Sequence, residues 1–342
     1  MGRRTRFTLT PARVGNPVPS PAHRIYAADM DRDQRVTGAV VGSAVGDALG
    51  APFEFSRERT FSTRFPEPDP DKEMCGGGSW EPGEATDDTQ MAVHLAESLL
   101  ERDGLDLPDI FDRFQRWATD DPMDIGLQTE AVLTSGDPWD LAAAIHFQTN
   151  HRAAGNGSLM RATTSAVYFA RAGQQTTMDA ARRIAALTHG DPAAWEGTAV
   201  FHELIRIALD GGDPLAALPG ILPLVDPDQR ERYAVVLDPG WHPTQATEFN
   251  GAVWPCLGSA VWALRATTSF DAALRTAVDL GGDTDTVAAV TGGLAGAVYG
   301  LGAIPHGWST PLHTPLPGAG GRMLYADDLT RLALRLDQPS SA

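Results

Sequence analysis

From about residue 32 onward, apolar residues recur every three or four positions, the spacing that lines one face of a helix. The stretch "TQMAVHLAESLLERDG" sets Met91, Leu95 and Leu99 in one stripe and ends at Gly104. "DIFDRFQRWATDDP" aligns Ile110, Phe114 and Trp117, with Pro122 beyond its end, and "WEGTAVFHELIRIALDGG" aligns Val200, Leu204 and Ile207 before a glycine pair. "YADDLTRLALRLDQP" repeats the pattern with Leu329, Leu332 and Leu336. Each stripe, closed by glycine or proline, predicts an amphipathic helix. Alternating β-branched runs are scarce, and the one short candidate, "YAVVL" at 233–237, is isolated. Two further segments, "VTGAVVGSAVGDALGAPFEF" and the run after Asp285, are apolar on most faces, as expected of central helices surrounded by others. With no repeat of fixed period and no dividing linker, the pattern predicts a single compact, all-α, multi-helix domain over residues 32–337.

Composition narrows the function. The chain has 342 residues and a formal net charge of −17, which argues against duplex nucleic acid as the main ligand, because phosphate binding rests on Lys/Arg-rich surface. The two cysteines, Cys75 and Cys256, form no CxxC pair or zinc spacing, so a reducing, cytoplasmic compartment is expected. Residues 1–31 are rich in Arg and Pro and lack the apolar centre of a secretory signal. They read as a disordered or loosely docked extension, with an organellar targeting segment or a partner-binding arm as alternatives. The run 287–304 is the one stretch approaching a membrane span, and its Gly and Ala content suits a close-packed interior helix instead.

The candidate chemistry lies in two clusters far apart in the chain. Thr86, Asp87, Asp88 and Thr89 open one amphipathic helix, and Asp283, Thr284, Asp285 and Thr286 open the apolar run. Each alone is what an ordinary helix N-cap supplies. Together they offer four carboxylates and several hydroxyls, the all-oxygen set of hard divalent ions such as Mg²⁺, Mn²⁺ or Ca²⁺. Glu54, between Phe53 and Phe55, is expected to be partly buried, where a carboxylate can orient or deprotonate a water. Asp47 falls within the first central helix and reads as structural. Gly155, Asn156, Gly157 and Ser158 can form a tight turn that points N–H groups at an anion. Arg161 can contact a phosphate or pair with an acid, and His189, at a helix end, is either a dipole partner or a substrate contact.

Six blocks, "GAVVGSAVGDALGAPFEF", "TDDTQM", "DIGLQT", "GNGSLMR", "THGDP" and "DLGGDTDTVAAVTGGLAGAVYG", resemble in order the signature blocks of the ADP-ribosylglycohydrolase family. The resemblance spans about residues 34–308. It implies an all-α fold carrying two divalent cations, Mg²⁺ or Mn²⁺, held by Thr86, Asp87 and Asp88 from one helix and Asp283, Asp285 and Thr286 from the other. It further implies that Glu54 lies near the metals, that residues 155–158 hold a diphosphate and that His189 approaches the adenosine side. Asp124, Ile125 and Gly126 match the block that faces the reacting ribose in the arginine-specific branch. Glu54, Asp87 and Asp285 are the catalytic candidates, and Glu54, Asp124, Gly126, Gly155, Asn156, Gly157, Ser158 and His189 the substrate-binding ones. The expected activity is metal-dependent removal of ADP-ribose from modified protein side chains, arginine first, with ADP-ribose as product and no membrane partner. Serine-, nucleic-acid- and O-acetyl-linked ADP-ribose are alternative substrates. So is a non-catalytic role, binding ADP-ribose or inhibiting an ADP-ribosyltransferase through the extension.

Overall fold

A computed structural model describes residues 30–150 and 153–338. The 1–31 extension lies almost wholly outside the described residues. At the centre two helices, Arg32–Gly50 and Thr284–Tyr299, run antiparallel with their backbones in contact. Gly38, Gly42, Gly46 and Gly50, one per turn, face Gly296, Gly292, Ala288 and Thr284 in descending order. A Cβ on Gly42, Gly46, Gly292 or Gly296 would overlap a carbonyl of the opposite helix. Glycine inside a helix costs about 0.5–1 kcal/mol relative to alanine, so a seam built from it forms only because tertiary contact offsets that loss.

The other helices wrap this pair. Asp87–Glu101, Thr163–Phe169, Pro192–Leu209, Val253–Ala266, Phe270–Val278 and Ala326–Leu336 bury their stripes against it or each other. A second apolar cluster joins Met91, Leu95 and Leu99 to Ile110, Phe114 and Trp117, with the Trp117 indole N–H satisfied by Gln90 Oε1 at 2.8 Å. The helical stripes read from the sequence are therefore the core-facing ones.

Two readings change. "YAVVL" is not a strand: Tyr233 to Val236 close the helix Pro227–Val236, because Tyr233 and Val236 bury one helical face. Strand structure appears instead as a small antiparallel hairpin, His313–Leu316 with Arg322–Tyr325, whose short length and two prolines hid it from the alternation test. The run 287–304, read as a close-packed interior helix, is helical to Tyr299 and buried from Val287 to Val298. Among the described residues the helix of membrane-spanning length and hydropathy is Arg32–Phe53, 89% of whose apolar window is buried inside the protein.

Candidate active site

Both acidic clusters sit at helix N-termini that open on one cleft of about 370 Å³ at the end of the glycine seam. Neither N-cap residue, Thr86 or Asp283, makes a side-chain capping hydrogen bond. The first start is served by Asp47, a fully buried carboxylate on the helix Arg32–Gly50. Asp47 accepts from Thr86 N at 3.0 Å, Thr86 Oγ1 at 2.8 Å, Thr89 N at 3.1 Å and Thr89 Oγ1 at 2.5 Å. That work leaves Asp87 and Asp88 free of capping, so the ordinary reason for acids at this position does not apply to them.

The second start is held by amides and a carbonyl, together with its own Asp285, whose Oδ1 accepts from Thr286 N at 2.8 Å. Asp283 N donates to Asn250 Oδ1 at 3.0 Å, Asn156 Nδ2 donates to Asp283 Oδ2 at 2.9 Å, and Thr284 Oγ1 donates to Gly50 O at 2.8 Å. Gly281 and Gly282, both at positive φ, let this segment press against the loop after Glu54. There Phe55 N donates to Gly282 O at 2.6 Å and Gly282 N to Ser56 O at 3.0 Å. These bonds pin Glu54 beside the second cluster. Its two phenylalanine neighbours behave differently: Phe53 is buried as expected, whereas Phe55 is 72% exposed, turned outward by a left-handed backbone (φ 57°).

One carboxylate oxygen from each of Glu54, Asp124 and Asp285 lies within 4.8 Å of the others. Burial, then the charges of Asp124, Asp283 and Asp47, push the Glu54 carboxyl up to about 7. Burial and neighbouring acids hold Asp87, Asp88 and Asp285 well above the usual carboxylate range, and burial raises Asp124. Asp88 Oδ1 is buried with no hydrogen-bond partner. Crowded, desolvated carboxylates with an orphaned oxygen lack positive charge, and an all-oxygen donor set of this kind could hold a divalent cation.

Of the residues proposed from sequence, Glu54, Asp87, Asp88, Asp124, Gly126, Gly155, Asn156, Gly157, His189, Asp283, Asp285 and Thr286 line the cleft, with Ile125 among them. Thr86 and Ser158 do not. The Thr86 hydroxyl hydrogen goes to Asp47, and the Ser158 hydroxyl bonds Thr198 Oγ1 at 3.2 Å in the core. The turn is also less open than anticipated, since Gly155 N donates to Gln128 Oε1 and Asn156 N to Gly251 O. Arg161 neither faces the cleft nor forms an ion pair among the described residues. It is fully buried with its guanidinium over the Phe114 ring, 4.6 Å from the centroid.

Sequence reasoning passed over Asn250, Gln128 and the work done by Asp47. Gln128 lies inside the "DIGLQT" block, and Asp47 is the one charge within an otherwise apolar helical turn, so both carried a signal. Asn250, in an unpatterned loop, carried none.

A profile of the ADP-ribosylglycohydrolase family matches residues 28–341. The chain is 30% identical over 291 residues to a Serratia proteamaculans protein named ADP-ribosylarginine hydrolase Tri1, covering 80% of this chain and 74% of that one. It is 29% identical over 290 residues to the ADP-ribosyl-[dinitrogen reductase] glycohydrolase of Rhodospirillum rubrum, covering 81% and 90%. A solved structure described as an ADP-ribosylglycohydrolase-related protein complex superposes with a TM-score of 0.70 at 37% identity, covering 90% of this chain and 98% of its own.

Proposed function

The chain belongs to the ADP-ribosylglycohydrolase family, and from that premise we propose that it hydrolyses the bond between ADP-ribose and an arginine side chain of a modified protein, using two divalent cations, Mg²⁺ or Mn²⁺. The observation that carries this reading is the convergence of Glu54, Asp124 and Asp285 on one cleft, beside two helix starts whose N-cap side chains make no capping hydrogen bond and an Asp88 oxygen buried without a partner. Asp87, Asp88, Asp283 and Asp285, with the Thr286 hydroxyl, would hold the cations, which would supply Lewis acidity and draw ribose hydroxyls and water into one place.

The remaining work falls to the chain's own groups. Hydrolysis forms a bond from a water oxygen to the anomeric carbon, breaks the bond from that carbon to the guanidine nitrogen, and moves one proton from the water to the departing nitrogen. The ribose ring passes through an oxocarbenium-like state whose positive charge the surrounding carboxylates stabilise. Glu54, held beside the second cluster by the Phe55–Gly282 bond, can take and return that proton. Asp124 suits the guanidinium, whose paired donors match a carboxylate. The Serratia relative, named an ADP-ribosylarginine hydrolase, supports the acceptor, and the Rhodospirillum relative, named for ADP-ribosylated dinitrogen reductase, supports a modified protein as substrate. The cytoplasmic location and an accessory role for residues 1–31 belong to the same reading.

ADP-ribose release measured over arginine-, serine- and nucleic-acid-linked substrates and O-acetyl-ADP-ribose tests it. Cleavage of the arginine-linked substrate is expected with Mg²⁺ or Mn²⁺ and none with EDTA. Turnover that survives chelation overturns the metal assignment, and turnover confined to another linkage overturns the acceptor. Binding of ADP-ribose without turnover of any substrate replaces the hydrolase by a binder. Deleting residues 1–30 should leave hydrolysis intact.

A further inference from the structure

His189 presents one ring nitrogen to the cleft and keeps the other in the core. Its Nδ1 lies 2.8 Å from Thr188 Oγ1, and the same hydroxyl accepts from Arg161 Nη2 at 2.7 Å. A guanidinium only donates, so the direction of the second bond is fixed, and the hydroxyl retains its own hydrogen to place. Thr188 is fully buried, and His189 Nδ1 is the acceptor within reach among the described hydrogen bonds. Were Nδ1 to carry a proton instead, the Thr188 hydrogen would be buried with no partner, the costly arrangement for a polar group.

On the other side of the ring, Nε2 faces a floor stripped of side chains. A Cβ on Gly155 or Gly157 would come within 3.4 or 3.3 Å of Nε2. The "THGDP" segment fixes the ring's backbone at both ends. A Cβ on Gly190 would overlap Ala143 O, the Trp195 indole donates to His189 O, and Asp191 caps the helix Pro192–Leu209 through Ala193 N at 2.9 Å.

We propose that Arg161 and Thr188 are positioning residues that lock His189 as the neutral tautomer protonated on Nε2, so that the cleft carries a permanent, uncharged hydrogen-bond donor for a diphosphate oxygen on the adenosine side of the ligand, beside the 155–157 turn. The identity of that oxygen rests on the hydrolase reading above; the tautomer does not. Burial, then the nearby Arg161 charge, then His146, hold His189 well below the ordinary histidine range, in keeping with a ring that stays neutral. An imidazolium in a cleft lined by carboxylates would be drawn to them. A neutral N–H is free for an acceptor the protein does not itself provide.

Histidine-specific nitrogen-15 labelling of the full chain reads the tautomer directly, with His189→Asn identifying the resonance. The wild type is expected to show a protonated Nε2 and a bare Nδ1 throughout about pH 6–8. Thr188→Val should abolish that preference and weaken ADP-ribose binding roughly tenfold by calorimetry, while Thr188→Ser keeps both. His189→Gln, whose amide nitrogen reaches the Nε2 position, should lose less affinity than His189→Asn, whose amide reaches only the Nδ1 position. A wild-type ring protonated on Nδ1 or on both nitrogens overturns the proposal, as does an unchanged tautomer in Thr188→Val. If Thr188→Val does not fold, the wild-type and Thr188→Ser spectra decide. Failure to bind ADP-ribose by a protein with the expected tautomer supports the positioning claim and overturns the diphosphate assignment together with the hydrolase reading.

Discussion

The two acidic helix starts read as near copies in sequence, yet they are secured by opposite means. One buried carboxyl side chain, Asp47, accepts the four bonds that steady the Thr86 start. Two amides and a backbone carbonyl from other segments steady the Asp283 start, with Asp285 adding a bond to Thr286 N. The common outcome is that neither N-cap side chain, Thr86 or Asp283, is spent on capping its own helix. The difference is what each start depends on: the first on a single buried carboxyl, the second on the shape of a loop.

That contrast can be broken from both sides at once. Gly296→Leu would drive a side chain into Gly38 O and separate the helices that carry Asp47 and Asp285. Its expected outcome is loss of the folded protein, seen as insoluble or thermally featureless material. Asp47→Ala attacks the first start alone. Two buried backbone N–H groups lose their acceptor, at roughly 1–3 kcal/mol each, and metal affinity measured by calorimetry should fall with stability.

The third prediction concerns pH in metal-free protein. Asp47, desolvated, is pushed up to about 6 against the pull of its four hydrogen bonds, and Glu54 to about 7. In the unfolded chain both titrate near 4. The folded state thus holds more protons between roughly pH 4 and 7, and stability falls as pH rises through that window. Melting curves in EDTA should show this decline, and added Mg²⁺ should remove it. Asp88→Asn sharpens the comparison in the opposite direction, because it deletes a crowded charge without touching a cap. It should raise the metal-free melting temperature by a few degrees while abolishing metal binding; a large loss of stability instead would return Asp88 to a structural role. Asn250→Ala, at the partly exposed second start, should cost only about 1 kcal/mol and lower metal affinity through Asp283.

Local periodicity made much of the architecture legible. Met91, Leu95 and Leu99 announced their helix because amphipathic burial repeats every turn, and the all-apolar runs announced the central pair. The seam itself was half-visible as Gly38, Gly42, Gly46 and Gly50, whose four-residue spacing puts them on one helical face. The acids that meet in the cleft could be nominated by chemical kind. Their neighbours could not, since Asn250 reaching Asp283, or Asp47 reaching Thr86 and Thr89, is a pairing between distant segments that leaves no period behind. Arg161 misled for a related reason: a guanidinium next to an anion-binding turn suggests a ligand, and only its burial over Phe114 reveals a partner in Thr188.

The seam of backbone against backbone also decides where this protein is free to drift. Gly42, Gly46, Gly292 and Gly296 admit no side chain, so the geometry they impose on the cleft acts as a fixed datum that mutation can only destroy. Phe55 and Leu127, 72% and 85% exposed at the rim, can be exchanged for about 0.5 kcal/mol or less. Substitution is therefore tolerated at the rim and excluded along the seam.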